Sequence, residues 1–201
     1  MTNAPYAGGG FARRQKHEHG TLPALSHYFV HSKNGEGDHM PKTEEYSFED
    51  FLSTVDPEYR GFVGNLHEYL MQSACKMKIE AKSSGYLVSY THAPSKRVIL
   101  NFVFRKTGLI VRIYGDHVNQ YPAFIDTLPA GMLAAIAKAP VCKRLMDPND
   151  CNPKCAMGYE FVVRGDVFKK CKYNCFMFAV NEESNPFIRL FVEREVGARV
   201  G

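Results

Sequence analysis

The chain has 201 residues, is 45% hydrophobic and 12% aromatic, and carries a net charge of +4 at pH 7. That is enough apolar material for one domain with its own core, and too little positive charge to mark a nucleic-acid footprint by itself. No apolar run is long enough to cross a bilayer, and Arg13, Arg14 and Lys16 are not followed by the apolar stretch of a secretory leader.

Residues 1–46 read as an extension, with residues 47–201 forming a single domain. The first segment holds Gly8, Gly9 and Gly10, scattered charge and no apolar period. Five of the eight histidines lie there: His17, His19, His27, His31 and His39. They suggest a metal-binding tail. A disordered tail is the preferred reading, because so few apolar residues cannot offset ordering entropy. Met40 is a natural first residue, and the segment before it is expected to be dispensable.

Order is expected from Ser47. Ser47 and Asp50 form a capping-box pattern for a short helical turn, and Asp56-Pro57 form a helix start. From residue 57 to about 74, Phe62, Leu66, Tyr69, Leu70 and Ala74 recur at helical spacing. Residues 76–82 then alternate polar and apolar, which is a strand pattern. Strands are also expected at 86–92, 97–105 and 109–114, joined by short turns, which makes neighbours antiparallel. In the third strand, Val98, Leu100, Phe102 and Phe104 should face the helices. Arg97, Ile99, Asn101, Val103 and Arg105 should lie on a mixed, partly buried back face.

Two helical stretches should follow, near 117–127 and 130–139, split by Pro129. Residues 158–164 and 167–170 read as a hairpin across Gly165-Asp166, and residues 176–180 as a further strand. Asn185-Pro186 repeats the cap-plus-proline start, with Phe187, Ile188, Phe191 and Val192 as the inner face of a terminal helix. The expected fold class is α+β: a four-stranded antiparallel meander against helices, then a cysteine-rich segment, a short hairpin and a last helix.

Five of the six cysteines fall in residues 142–175. Without export the chain is expected in the cytoplasm, where thiols or metal ligands outnumber disulfides. Cys151-x3-Cys155 and Cys171-x3-Cys175 form two pairs at a linker length that zinc modules use. The first pair sits in a Pro/Asn/Asp loop that can curl both sulfurs toward one ion. In an extended strand the second pair would lie about 13 Å apart at ~3.3 Å per residue. Sulfurs on one tetrahedral zinc lie about 4 Å apart. Zinc is therefore expected on Cys151, Cys155 and Cys171, with Cys142 or Cys175 fourth, in a closed structural site. Small buried thiols and a redox pair are the competing uses.

No P-loop, dinucleotide fingerprint, H-E-x-x-H or G-x-S-x-G motif is present. His92 and His117 stand at element ends without a neighbouring partner, so no catalytic residue is assigned. Tyr86, Tyr90, Tyr114 and Tyr121 could line a pocket with Arg105 and Arg112, but the preferred reading is edge-of-core residues that show their hydroxyls to water. Lys138, Lys143, Arg144, Lys154, Arg164, Lys169, Lys170 and Lys172 gather around the cysteines, but Asp147, Asp150, Glu160 and Asp166 dilute them.

Residues 48–115 resemble small uncharacterised bacterial domains of the YdhG-like kind, within the broad CyaY/YjbR-like group. Phe48-Glu49-Asp50-Phe51-Leu52, Val88-Ser89-Tyr90-Thr91-His92-Ala93-Pro94 and residues 97–114 carry the resemblance. Lys106-Thr107 stands where that group has a Lys-His step, and the cysteine segment has no counterpart there. The resemblance implies a helix-meander-helix fold and ligand binding, with no activity and no functional residues.

The leading expectation is a non-enzymatic module that binds a small ligand or a protein partner through Tyr90, His92, Asn101, Arg105 and Arg112. An enzyme with a pocket near Tyr90, His92 and His117 is the alternative, and a zinc-ribbon-like nucleic-acid contact a third. Neither a membrane nor nucleic acid is the expected partner.

Overall fold

A computed structural model of the chain describes residues 46–155 and 158–200, with the side chain of Val200 left out. All of the expected N-terminal extension but Tyr46, including its five histidines and Met40, thus lies outside the described residues.

The first helix, α1 (Phe48–Ser53), starts as its capping box requires. Ser47 Oγ accepts from Asp50 N at 3.1 Å, and Asp50 accepts from Ser47 N at 2.8 Å. In α2 (Pro57–Gln72), Asp56 caps the first turn and Pro57 occupies the first helical position. Its buried stripe is Val63, Leu66 and Leu70. The helix ends at Ser73, and Ala74 at φ 53° turns the chain directly into a strand.

That strand is β1 (Cys75–Lys82), followed by β2 (Gly85–His92), β3 (Arg97–Arg105) and β4 (Gly108–Ile113), each antiparallel to the last. At the β1–β2 turn, Gly85 has φ 116°, and a Cβ there would stand 2.8 Å from the Phe104 ring. Glycine is required on both counts. The meander gains a fifth member: β7 (Phe176–Ala179) pairs antiparallel with β4, giving the order β1-β2-β3-β4-β7.

One face of this sheet meets the helices. Val88, Tyr90, Leu100, Phe102, Val111, Ile113, Phe176 and Phe178 are buried there with Phe51, Leu66 and Leu70. Burying each such side chain contributes about 1.5–3 kcal/mol. Strict alternation in β3 fails at one point. Tyr90 pairs with Leu100 and Thr91 with Val98, so Ile99 is an extra residue. This bulge turns Ile99 into the core beside Leu100, and Arg97 to the same side. Val98, expected inside, is half-buried and falls outside the core cluster.

Beyond β4, a 3-10 turn (Val118–Gln120) and α3 (Pro122–Ile125) stand where one longer helix was expected; Pro122 begins a new helix. Next come α4 (Ala130–Lys138) and α5 (Lys143–Met146), the latter not foreseen. The hairpin β5 (Tyr159–Val163) and β6 (Asp166–Lys170) is a separate two-stranded sheet. Its turn lies one residue earlier than expected, at Arg164-Gly165, where both residues have positive φ, 49° and 88°. The last helix, α6 (Asn185–Val200), buries Ile188, Phe191, Val192 and Val196. Asn185 is its first residue rather than its cap, and Ser184 N donates to Asn181 Oδ1 at 2.8 Å just before it.

Candidate functional site

Two polar clusters are buried, on opposite faces of the sheet. The first lies on the helix side. Glu195 and Arg199, one turn apart on α6, continue the stripe of Phe191 and Val192 into the interior. Glu195, with no exposure, accepts from Asp116 N at 3.1 Å, His117 N at 3.2 Å, Tyr121 Oη at 2.6 Å and Arg199 Nε at 2.9 Å. His117 Nδ1 lies 3.0 Å from the same carboxylate. Arg199 Nη2 donates to Tyr114 O at 3.0 Å and Asp116 Oδ2 at 3.3 Å. Arg97 grips Asp116 with Nε at 2.9 Å and Nη2 at 3.0 Å. Burial, and then the Glu195 carboxylate, push the Tyr121 hydroxyl far up. Both acids and both arginines are engaged, and the cluster clamps α6 to the ends of β3 and β4. Such mutual satisfaction of buried charges suits a structural clamp. Sequence reading passed over Asp116, Glu195 and Arg199. The available signal was a charged pair at helical spacing on the core stripe of the last helix.

The residues of the alternative enzyme pocket, Tyr90, His92 and His117, use their polar atoms on three different partners. Tyr90 is fully buried, and its hydroxyl and His67 Nδ1 are hydrogen-bonded at 2.8 Å. His92, 2% exposed, pairs Nδ1 with Ser95 Oγ at 2.9 Å. His117 belongs to the Glu195 cluster. Burial lowers the pKa of His67; it lowers that of His92 too, with help from the Arg199 charge.

The second cluster lies on the outer face. A polar row crosses the sheet from Lys78 through Ser89, Asn101 and Arg112 to Met177, each the cross-strand partner of the next. Val103 and Ile110, 5% and 8% exposed, flank it but lie apart from the main core cluster. Asn101 is 7% exposed, and burial raises the pKa of the neighbouring Tyr114 hydroxyl. Asn101 Oδ1 is buried without a hydrogen-bond partner among the described residues, and so is Arg112 Nε. Beside Tyr114 a shallow pocket of about 210 Å³ is lined by Lys96, Arg97, Val98, Tyr114 and Tyr173. The Arg97 guanidinium stands over the Tyr173 ring at 5.3 Å.

The expected ligand set is therefore split. Asn101 and Arg112 meet across neighbouring strands. Arg105 is exposed on the same face near the end of β3. Tyr90 and His92 lie on the opposite face, because side chains two residues apart on β2 share one side and that side is the core.

Cys142 is 2% exposed, Cys151 is exposed, and Cys155, Cys171 and Cys175 are half-buried. Cys171 opens a turn closed by Asn174 N to Cys171 O at 3.1 Å, so residues 171–175 are no extended strand. Cys175 lies within the influence of Arg112 and Arg105, and burial raises its thiol pKa. Burial raises Cys75 likewise, which argues against a reactive thiol. Lys170, counted among the surface bases, is 4% exposed; its Nζ donates to Ala137 O at 2.8 Å and Ala139 O at 2.7 Å, closing the end of α4.

Comparison with known protein families, with curated proteins and with solved structures finds no match. Among the described residues no helix is long and apolar enough to cross a membrane.

Proposed function

We propose that this chain is a non-enzymatic module that binds a small anionic ligand on the outer face of its sheet. The observation that carries the reading is the Asn101–Arg112 pair. Both residues sit mid-sheet, and each keeps a buried polar atom without a partner among the described residues. A buried group left unsatisfied costs about 1–3 kcal/mol, so such a pair is maintained against stability. One atom donates and the other accepts. A ligand with a carbonyl or carboxylate oxygen beside a donor would satisfy both. Arg105, Arg112 and Lys96 on and beside this face favour a negative charge, and Tyr114 and Tyr173 offer flat apolar walls. The resemblance to YdhG-like domains also fits a ligand-binding role without chemistry.

The test is a nuclear magnetic resonance screen of the full chain against small carboxylates, phosphates and amino acids. Expected are shifts confined to residues around Asn101, Arg112 and Tyr114, abolished in Arg112→Met. Binding that survives Arg112→Met, or shifts centred on His92 and His117 instead, would overturn the reading.

A further inference from the structure

The loop of residues 146–154 has little apolar means of ordering itself. Every residue from Met146 to Lys154 is exposed. The contacts that hold the loop include Asp150 N to Asp147 O at 3.0 Å, Cys155 N to Asn152 O at 2.9 Å, the Lys143–Asp150 ion pair, and the Arg144 guanidinium on the carbonyls of Pro153 and Cys155. Ordering each residue costs about 1–2 kcal/mol of backbone entropy, which exposed side chains do not offset.

The chain path sets four of the five cysteines of residues 142–175 in two pairs, Cys142 with Cys171 and Cys151 with Cys155, tied together where the Arg144 guanidinium, two residues after Cys142, holds the Cys155 carbonyl. Val141 bridges Lys170 antiparallel, with Cys142 N on Lys169 O at 2.9 Å and Cys171 N on Pro140 O at 3.2 Å. Cys142 and Cys171 therefore sit on adjoining strands of chain. Gly158 N donates to Cys142 Sγ at 3.3 Å. A Cβ on Gly158 would stand 2.2 Å from Lys170 O and 2.8 Å from that sulfur, so the approach requires glycine. The turn at Asn152-Pro153-Lys154 carries Cys151 and Cys155 at its two ends.

We infer that Cys142, Cys151, Cys155 and Cys171 together hold one zinc ion, which fixes this loop, and that Cys175 is not a ligand. Cys175 stands directly before β7, which the pairing of Phe176 with Ile113 holds on the main sheet. Among the described residues no three such side chains already stand in ion-holding geometry. The ion therefore has to draw the sulfurs in, and the exposed loop with Cys151 is the part free to move. Four thiolates around zinc leave net negative charge. Lys143, Arg144, Lys154 and Lys172, each within two residues of a ligand cysteine, offset it. Binding releases the thiol protons, and its free energy becomes ordering of the loop.

The experiment uses the reduced full chain, with zinc removed and then titrated back, and with cobalt as a spectroscopic probe. Expected are one ion per chain and the cobalt spectrum of a tetrahedral all-thiolate site. Zinc should protect four thiols from alkylation by mass spectrometry, leaving Cys175 and Cys75 unchanged. Cys151→Ser and Cys155→Ser should lose the ion, and Cys175→Ser should keep it. Zinc-independent alkylation, loss of the ion in Cys175→Ser with retention in Cys142→Ser, or a zinc-free Cys151–Cys155 disulfide would each overturn the assignment. The alkylation pattern of the unmodified chain decides the matter even if a serine variant fails to fold.

Discussion

On the helix side of the sheet, Glu195, Arg199 and Asp116 lie deep in the protein with their charges paired, and half-buried Arg97 closes the cluster on Asp116. On the outer side, Asn101 and Arg112 are also withdrawn from water, yet each keeps an atom unpaired. The two clusters use strands β3 and β4 in common and differ only in satisfaction. Burial alone therefore does not separate a structural group from a binding group; the partner count does. A saturated cluster can only lose when one member is removed, whereas an unsaturated one can lose a member at little cost.

The largest effect should follow removal of Glu195. Glu195→Leu leaves Arg199 buried beside one remaining carboxylate and frees two backbone N–H groups, His117 and the Tyr121 hydroxyl. A loss of about 3–5 kcal/mol is expected for breaking such a buried pair. At roughly 2–4 °C per kcal/mol for a domain of this size, the thermal midpoint should fall by many degrees. A circular-dichroism melt that barely moves would remove the contrast between the faces.

Arg97→Met should cost less. Its side chain is 32% exposed and Asp116 keeps Arg199 as a partner. Hydrogen bonds to a charged group are worth about 1.5–3 kcal/mol, so a drop near the lower end is expected in urea unfolding. A loss as large as that of Glu195→Leu would mean that Arg97, and not α6, is the hub of the clamp.

Acid should expose the same asymmetry more gently. His67 and His92 have folded pKa values below the ordinary 6.5, chiefly through burial. Between the folded and unfolded values the unfolded chain binds more protons. Their contribution to stability is thus complete above about 6.5 and is lost as pH falls through the depressed folded values. The thermal midpoint should decline modestly from pH 7.5 to 5.5, and His67→Gln should flatten part of that decline. An unchanged slope would show that His67 does not titrate differently in the folded chain.

The meander was legible because turn chemistry and period agreed. Residues 76–82 alternate without exception, and Gly85 and Gly108 mark where two turns close. The bulge at Ile99 was not legible: Val98, Ile99 and Leu100 are all apolar, so either face suits each of them and only cross-strand pairing settles the register. For the same reason Tyr90 and Asn101 could be placed together from sequence although opposite faces carry them. Asn101 and Arg112 could be picked as polar residues on apolar strands, but not as partners, since that needs the β3–β4 register. Glu195 and Arg199 look like an ordinary solvated ion pair until Phe191, Val192 and Val196 are seen to set the buried stripe. The cysteine grouping was half legible: the Cys151 turn follows from local sequence, whereas Cys142 joins through the Val141–Lys170 bridge.

The central claim, that the outer pair is kept for binding and the inner cluster for stability, meets its most direct test in Arg112→Met. Thermal unfolding of this variant should match or exceed that of the unchanged chain, because a buried unpaired Nε is removed and the aliphatic stem is kept. A fall in midpoint as large as that of Arg97→Met would contradict the account and make Arg112 part of the scaffold.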